Sequence, residues 1–436
     1  MRKFMLLFIY ALFLVHSSFA QIVPPPPSGY FDLIIVFPLD AQPAAIEAVR
    51  RDFNATQLAI TPVTQARLWR MATSFKSPLT SPLGSYSYSD PLDAVERVRG
   101  RTSGVGTGGT AIQINVPTRL PEAYAPVTPN GQPSSLPPLI SCMPEVDFVV
   151  PSIGTNVVKV AILDTGLETD PGKLPIRFRN SVLARHAEGA DARNFTTDYS
   201  SEYDINDNHG HGTSVASVVV YGFMRLGKLN CRIVPIKVLS NTGSGNLFAL
   251  IQGIDHAIQK GVDIINISIV SPDKTDYKKF STPIELAIRK AGDNSILVVS
   301  AAGNSNTDID LLENRIYPAC APGANQMVVA AGGCSGTRAY FASFGKYSVD
   351  IFAPGEQIWV FGLGNVYRQV NGSSFAAPIV AGIAAALRTH SPTRNWKPLD
   401  CAIRRGATPI SVFSALCTSG GGVHSGRALS SLGSCR

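Results

Sequence analysis

The chain of 436 residues is short of charge, with only 16% Asp, Glu, Lys and Arg and no run of five or more like charges. Its net charge of +7 is mild for this length. Nucleic-acid binding through a basic stripe is therefore set aside. The cysteines (142, 231, 320, 334, 401, 417 and 435) contain no Cys-x-x-Cys, and no His-Glu-x-x-His occurs. That removes the sequence basis for a zinc cluster, a thioredoxin-like site or a zincin centre. Beyond the first 20 residues no apolar run approaches the ~20 residues a spanning helix needs. What remains is 45% hydrophobic, enough for a large globular core.

At the N-terminus Arg2 and Lys3 precede an apolar run from Phe4 to Val15, followed by Ser18-Phe19-Ala20. This is the pattern of a secretory signal, residues 1–20, cut after Ala20. A single-pass anchor is the alternative, but the run is too short for it. Export gives an expected extracellular location and permits up to three disulfides with one thiol left over. Cys320 with Cys334 is the expected pair, because the two flank an apparent strand and turn. Sequons stand at Asn54, Asn194, Asn266 and Asn371.

After the stiff Pro24–Pro27 spacer, Tyr30–Leu39 reads as a strand, and Ile46, Val49 and Phe53 recur at helical spacing. A small α+β unit is expected here. From about Gly100 to Pro138 the Gly, Ser, Thr and Pro content predicts a linker or an exposed, cleavable stretch. Beyond it, the runs 157–163, 232–239, 262–269 and 295–302 are short, Val/Ile-rich and almost continuously apolar, which suits strands buried on both faces of a parallel sheet. Helical patterns lie between them: Leu247, Ile251, Ile254 and Ile258 before Gly261, and residues 283–292. The expected fold class is α/β, a doubly wound and mainly parallel sheet with helices on both faces, whose ligands sit at the carboxyl ends of the strands.

Those ends carry Asp164-Thr165-Gly166, then Gly303-Asn304-Ser305, then Ser373 and Ser374 opening a helix of small and apolar residues. Taken singly, each is an ordinary turn or cap residue. A further stretch, "DNHGHGTSVAS" (207–217), holds His209 and His211. As a zinc site the pair offers two ligands where a closed site needs four.

Together, "AILDTGLETD" (161–170), "HGTSVAS" (211–217), "SAAGN" (300–304) and "GSSFAAP" (372–378) resemble the subtilisin-type serine proteases, the subtilase family, in that family's Asp…His…Asn…Ser order. Residues 238–268 and 340–355 agree, so the resemblance runs from about 155 to 390. It implies Asp164 as carboxylate, His211 as base, Ser374 as nucleophile and Asn304 in the oxyanion hole of a secreted endopeptidase. Ser373 stands where the family usually has threonine, and Phe375 where it has methionine. His209 then becomes a loop residue beside the site.

The resemblance further implies that Gly243-Ser244-Gly245 and Ser268-Ile269-Val270, with Ala301, Ala302 and Gly303, flank an extended peptide substrate. Val270 replaces a family glycine. Its branched side chain is expected to narrow the first specificity pocket, favouring small or medium apolar residues before the cut bond. No cofactor is required for the chemistry. Structural calcium is common in the family, but the usual loop is lacking; Glu202, Asp204 and Asp207 form the one acidic cluster, read either as a weak cation site or as a solvated loop. Residues 21–130, with their Gly/Pro-rich linker, occupy the place of an N-terminal propeptide that assists folding and inhibits the site. This puts the mature N-terminus between Thr107 and Cys142. The catalytic domain is assigned to 131–410 and a Gly/Ser-rich, cysteine-bearing tail to 411–436. The enzyme is expected to act as a monomer on protein or peptide substrates. Two competing readings are a catalytically silent relative that binds peptides or serves as a surface protein, and a dedicated convertase. The first should have lost a catalytic residue; the second should carry acidic pockets and an added β-domain, for which the short tail leaves no room.

Overall fold

The computed structural model describes residues 23–24, 26–28, 30–76, 85–87, 91–107, 109–120, 127–130, 150–174, 191–198, 201–228, 230–272, 282–321, 323–364, 366–391 and 393–435. The signal segment lies outside the described residues.

The N-terminal unit is a four-stranded antiparallel sheet in the order Thr56–Ile60, Arg67–Ala72, Tyr30–Val36, Ala111–Ile114, with helices Pro43–Asp52 and Pro91–Thr102. Tyr30–Val36 lacks polar alternation because both of its faces are covered. Leu33 and Ile35 share a core with Val49 and Val98 of the unit's own helices and with Phe53, just past the end of the first. Ile34 and Val36 point the other way, into a core shared with Leu247, Ile251, Ile284 and Ile288. The unit therefore sits on the helices Leu247–Gln259 and Pro283–Asp293. One polar clamp marks the contact: Asp255 accepts from the N–H groups of Val63 at 2.6 Å and Thr64 at 3.2 Å.

The large sheet has nine strands in the order Arg193–Asn194, Cys231–Lys237, Val158–Asp164, Ile264–Ile267, Leu297–Ala301, Gln326–Gly332, Ile351–Pro354, Gly421–Gly422, Thr408–Pro409. All neighbours run parallel except the last pair. Alternate residues feed opposite cores. Val158, Val160 and Ile162 face the side of the helices His211–Val219 and Ser373–His390, while Ala161 and Leu163 face the other. From Val158–Asp164 the chain first adds strands on one side and then crosses to Ile264–Ile267 on the other. The crevice above Asp164 and Ser268 is thus the topological switch point of the sheet.

Three expectations need correction. The stretch after Gly100 is not a free linker where it is described: Ala111–Ile114 completes the small sheet, Pro117–Arg119 pairs with Ser244–Asn246, and Val127–Asn130 pairs with Val366–Val370. Backbone groups make these pairings, so a Pro/Thr/Gly composition does not forbid them at an edge. Cys320 is not bridged to Cys334. It is a buried free thiol, Cys334 is bridged elsewhere, and Cys401 joins Cys435. The C-terminal residues are also more than a tail, since Gly421–Gly422 extends the main sheet and Ser425–Leu432 is a helix.

Candidate active site

Asp164 ends its strand fully buried, and its carbonyl accepts from the N–H groups of Val238 (2.9 Å) and Leu239 (3.1 Å). Its Oδ1 lies 2.8 Å from Nδ1 of His211, which is likewise fully buried. The histidine opens the helix His211–Val219, and the next residue has to be glycine for steric reasons. A Cβ on Gly212 would lie 2.3 Å from the carbonyl oxygen of Gly166.

The turn that delivers His211 is built around Asp207. Its Oδ1 accepts from Thr165 Oγ1 (2.8 Å) and the Gly210 N–H (2.8 Å), and its Oδ2 from the N–H (2.8 Å) and hydroxyl (2.7 Å) of Thr213. Thr165 also accepts from the Gly212 N–H at 2.9 Å. One buried carboxylate therefore ties the aspartate loop to the histidine helix. The sequence reading missed this role and grouped Asp207 with Glu202 and Asp204. Those three do not converge: Glu202 pairs with Arg193, and Asp204 accepts from the Asn206 N–H. Among the described residues no group of three or more His, Cys, Asp or Glu side chains is arranged to hold a metal.

Lys237, also missed, is fully buried opposite Asp164 in the strand register and donates to the Thr165 carbonyl. Burial pushes its ammonium below the usual range, against the pull of Asp207, Asp198, Asp164 and Asp204. His209 is half-buried, its ring 6.3 Å from that of His211, and burial and its neighbour lower its pKa.

Ser374 stands in the first turn of the buried helix Ser373–His390, and Phe375 beside it lies 5.3 Å, ring to ring, from His211. The helix carries Pro378 in its interior. Proline has no N–H, so the carbonyl four residues earlier loses its helical donor. That carbonyl belongs to Ser374, and the hydroxyl of Ser268 fills the gap at 2.9 Å. In return Ser374 Oγ donates to the Ser268 carbonyl at 3.4 Å. A second stitch joins Ser373 to the asparagine loop: Asn304 Oδ1 accepts from the Ser373 N–H at 2.8 Å, and Ser373 Oγ accepts from the Gly303 N–H at 3.1 Å. This commits the amide oxygen of Asn304 and leaves its Nδ2 as the donor for a ligand.

The residues expected to flank a substrate also come together. Ala301, Ala302 and Gly303 continue the strand Leu297–Ala301 on one side of Ser268-Ile269-Val270, and Gly243-Ser244-Gly245 forms the facing edge. An extended segment of the chain itself lies between the two edges. Arg119 and Val270 exchange backbone hydrogen bonds at 2.9 and 3.0 Å, and the Leu120 N–H donates to the Gly243 carbonyl at 3.2 Å. Of the sequons, Asn194 and Asn266 are fully buried.

Residues 155–416 match the profile of the Subtilase family (Peptidase_S8). Among curated proteins, a thermostable alkaline protease of Halalkalibacterium halodurans is 34% identical over 277 residues, 63% of this chain and 68% of the relative. Subtilisin DY of Bacillus licheniformis is 34% identical over 264 residues, covering 59% and 85%. An alkaline protease of Alkalihalobacillus alcalophilus is 32% identical over 257 residues, 58% of this chain and 60% of the relative's length.

Proposed function

The chain belongs to the subtilase family of serine endopeptidases, and from that premise we propose that Asp164, His211 and Ser374 form its catalytic triad, with Asn304 as oxyanion donor. The observation that carries this reading is the buried 2.8 Å hydrogen bond between Asp164 and His211, two residues 47 positions apart. A carboxylate on Nδ1 fixes the tautomer that leaves Nε2 to act as base. To react, the Ser374 hydroxyl turns from the Ser268 carbonyl toward His211 and passes its proton to Nε2 as Oγ attacks the substrate carbonyl. The oxyanion that forms is met by Asn304 Nδ2 and by the backbone N–H at Ser374, in a helix turn whose donors have no intrahelical acceptor. His211 then returns the proton to the leaving amine, and water hydrolyses the acyl-enzyme by the same route. These steps use the chain's own side-chain and backbone groups and water, so no cofactor is invoked.

The protein is made, on this reading, as an exported zymogen that loses residues 1–20 and then its N-terminal unit. Support comes from Pro117–Leu120, which lies along the substrate edges in the manner of a bound peptide. Cleavage is expected within 121–126, between the two described strands that flank that span in sequence. The secreted, monomeric product hydrolyses proteins or peptides. The test is casein hydrolysis by the purified protein, with N-terminal sequencing of the product. Ser374→Ala should abolish activity and leave the chain uncut; in subtilisin itself, loss of the nucleophile costs about 10⁶-fold in kcat. Activity that survives Ser374→Ala rejects the assignment.

A further inference from the structure

The edge that binds Arg119 also fixes where the other residues of a substrate go. With antiparallel pairing to Val270, the residue two positions further along the peptide lies opposite Ser268. Ser268 is welded to Ser374, so the carbonyl of that residue is the one presented to the nucleophile. The segments 268–270 and 301–303 continue two adjacent parallel strands, so a side chain directed into the gap between them meets both.

That gap is not open. Gly303 has φ of +90°, and a Cβ placed on it would come within 2.6 Å of Ile316 Cδ1 and 3.8 Å of Val270 Cγ1. Both aliphatic side chains therefore border the space that a Cβ on Gly303 would take. Val270 is 8% exposed and held by its bonds to Arg119; Ile316 is held by antiparallel pairing of Ile316–Tyr317 with Ser271–Pro272. Both are branched at Cβ and have few rotamers with which to withdraw. No charged group is among the three nearest neighbours of that position, the remaining one being Ser343 Oγ at 3.4 Å.

We propose that Val270 and Ile316 together close the first specificity pocket, so that the enzyme cuts after small residues such as alanine and rejects aromatic and long side chains. The inference rests on the serine-protease reading of the site and deepens it by naming the substrate class. A pocket of fixed wall discriminates against a larger guest by overpacking, whose cost grows with every added methylene.

The experiment uses the purified active protein and fluorogenic peptides that differ only in the residue before the cut bond: Gly, Ala, Val, Leu, Phe, Glu and Arg. Alanine should exceed phenylalanine by roughly 100-fold in kcat/KM. Ile316→Gly should raise the Phe/Ala ratio by about tenfold or more, and the double variant with Val270→Gly should raise it further. Reading the ratio cancels any general loss from imperfect folding, and labelling of Ser374 by a sulfonyl fluoride counts the competent sites. Phe hydrolysed as well as Ala by the unaltered enzyme, or a ratio unmoved in the double variant, overturns the inference and leaves the reaction assignment standing. Failure to cut any peptide, with no labelling of Ser374, overturns the assignment and the inference with it.

Discussion

Removing the Ser268 hydroxyl should loosen the nucleophile without touching the reacting atoms. Ser268 is fully buried; its Oγ donates to the Ser374 carbonyl and accepts from Asn266 Nδ2 at 3.0 Å. Ser268→Ala leaves that carbonyl without its side-chain donor, because Pro378 supplies no N–H from the following turn. A buried polar group left unsatisfied costs about 1–3 kcal/mol. The expected result is destabilisation in that range and a fall of about tenfold in kcat, the rate equivalent of about 1.4 kcal/mol. Pro378→Ala gives the test its control. It restores an N–H four residues after Ser374, so Ser268→Ala should cost less in the Pro378→Ala background, by about 1 kcal/mol. Urea unfolding of all four combinations in a Ser374→Ala chain measures this cycle, since that substitution keeps the backbone carbonyl and prevents autolysis. Kinetics on the active forms supply the rates. A coupling below about 0.3 kcal/mol, or an unchanged kcat in Ser268→Ala, refutes the argument.

Burial pushes His256 down to about 4 from an ordinary value of 6.5. Between these values the unfolded chain binds the extra proton, so this contribution is full above about pH 6.5 and is lost as pH falls toward 4. It amounts to about 3 kcal/mol, and urea midpoints of the Ser374→Ala chain should show His256→Gln flattening the slope in that window. An identical slope would remove His256 from the acid limb. Asp255 holds the N-terminal unit through two backbone donors, so Asp255→Asn should weaken the docking by about 1.5–3 kcal/mol. Hydrogen exchange across residues 30–72 of the uncut Ser374→Ala chain should then rise about tenfold or more, and unchanged protection would assign the docking to apolar contact and to the bonds of Asn115 and Val116 with the N–H groups of Phe248 and Leu247.

How far the sequence could be read depended on what kind of interaction each residue makes. The positions of Asp164, Asn304 and Ser374 were legible because each stands at the end of a buried strand or the start of a buried helix; their expected roles came only from the family resemblance of the four motifs taken in order. The strands 158–164 and 264–267 were legible as apolar runs because both of their faces are covered. Pro117–Arg119 was not, because an edge pairing through backbone groups leaves little trace in side chains. Asp207 was misread since its task is to gather N–H and O–H groups of its own turn, and an acidic residue near other acids looks the same in sequence whether it turns inward or outward. The pocket shows the same limit: Val270 was visible at its motif, whereas Ile316 arrives from 46 positions away through a two-residue pairing. Cys320 was assigned a partner by proximity in sequence, and its thiol instead lies 3.5 Å from the carbonyl of Ile309.

The switch point explains why these stitches exist. An open sheet offers one crevice where the chain departs in two directions, and loops from different strands converge there without any strand continuing between them. On the proposed assignment each element brings one reagent: 164 from the first strand, 211 from the helix behind it, 304 from a later strand and 374 from the helix that crosses beneath. Nothing in the ladder hydrogen bonds of the sheet sets the distances among the loops, so cross-loop bonds must do so. Thr165 to Asp207, Ser268 to Ser374 and Ser373 to Gly303 are those bonds, and all of these side chains are buried. Substitutions at Asp207, Ser268 and Ser373 therefore act on the relative placement of reagents that themselves remain intact. Catalysis depends on sub-ångström placement of reacting groups, so such changes reach kcat before they reach substrate affinity.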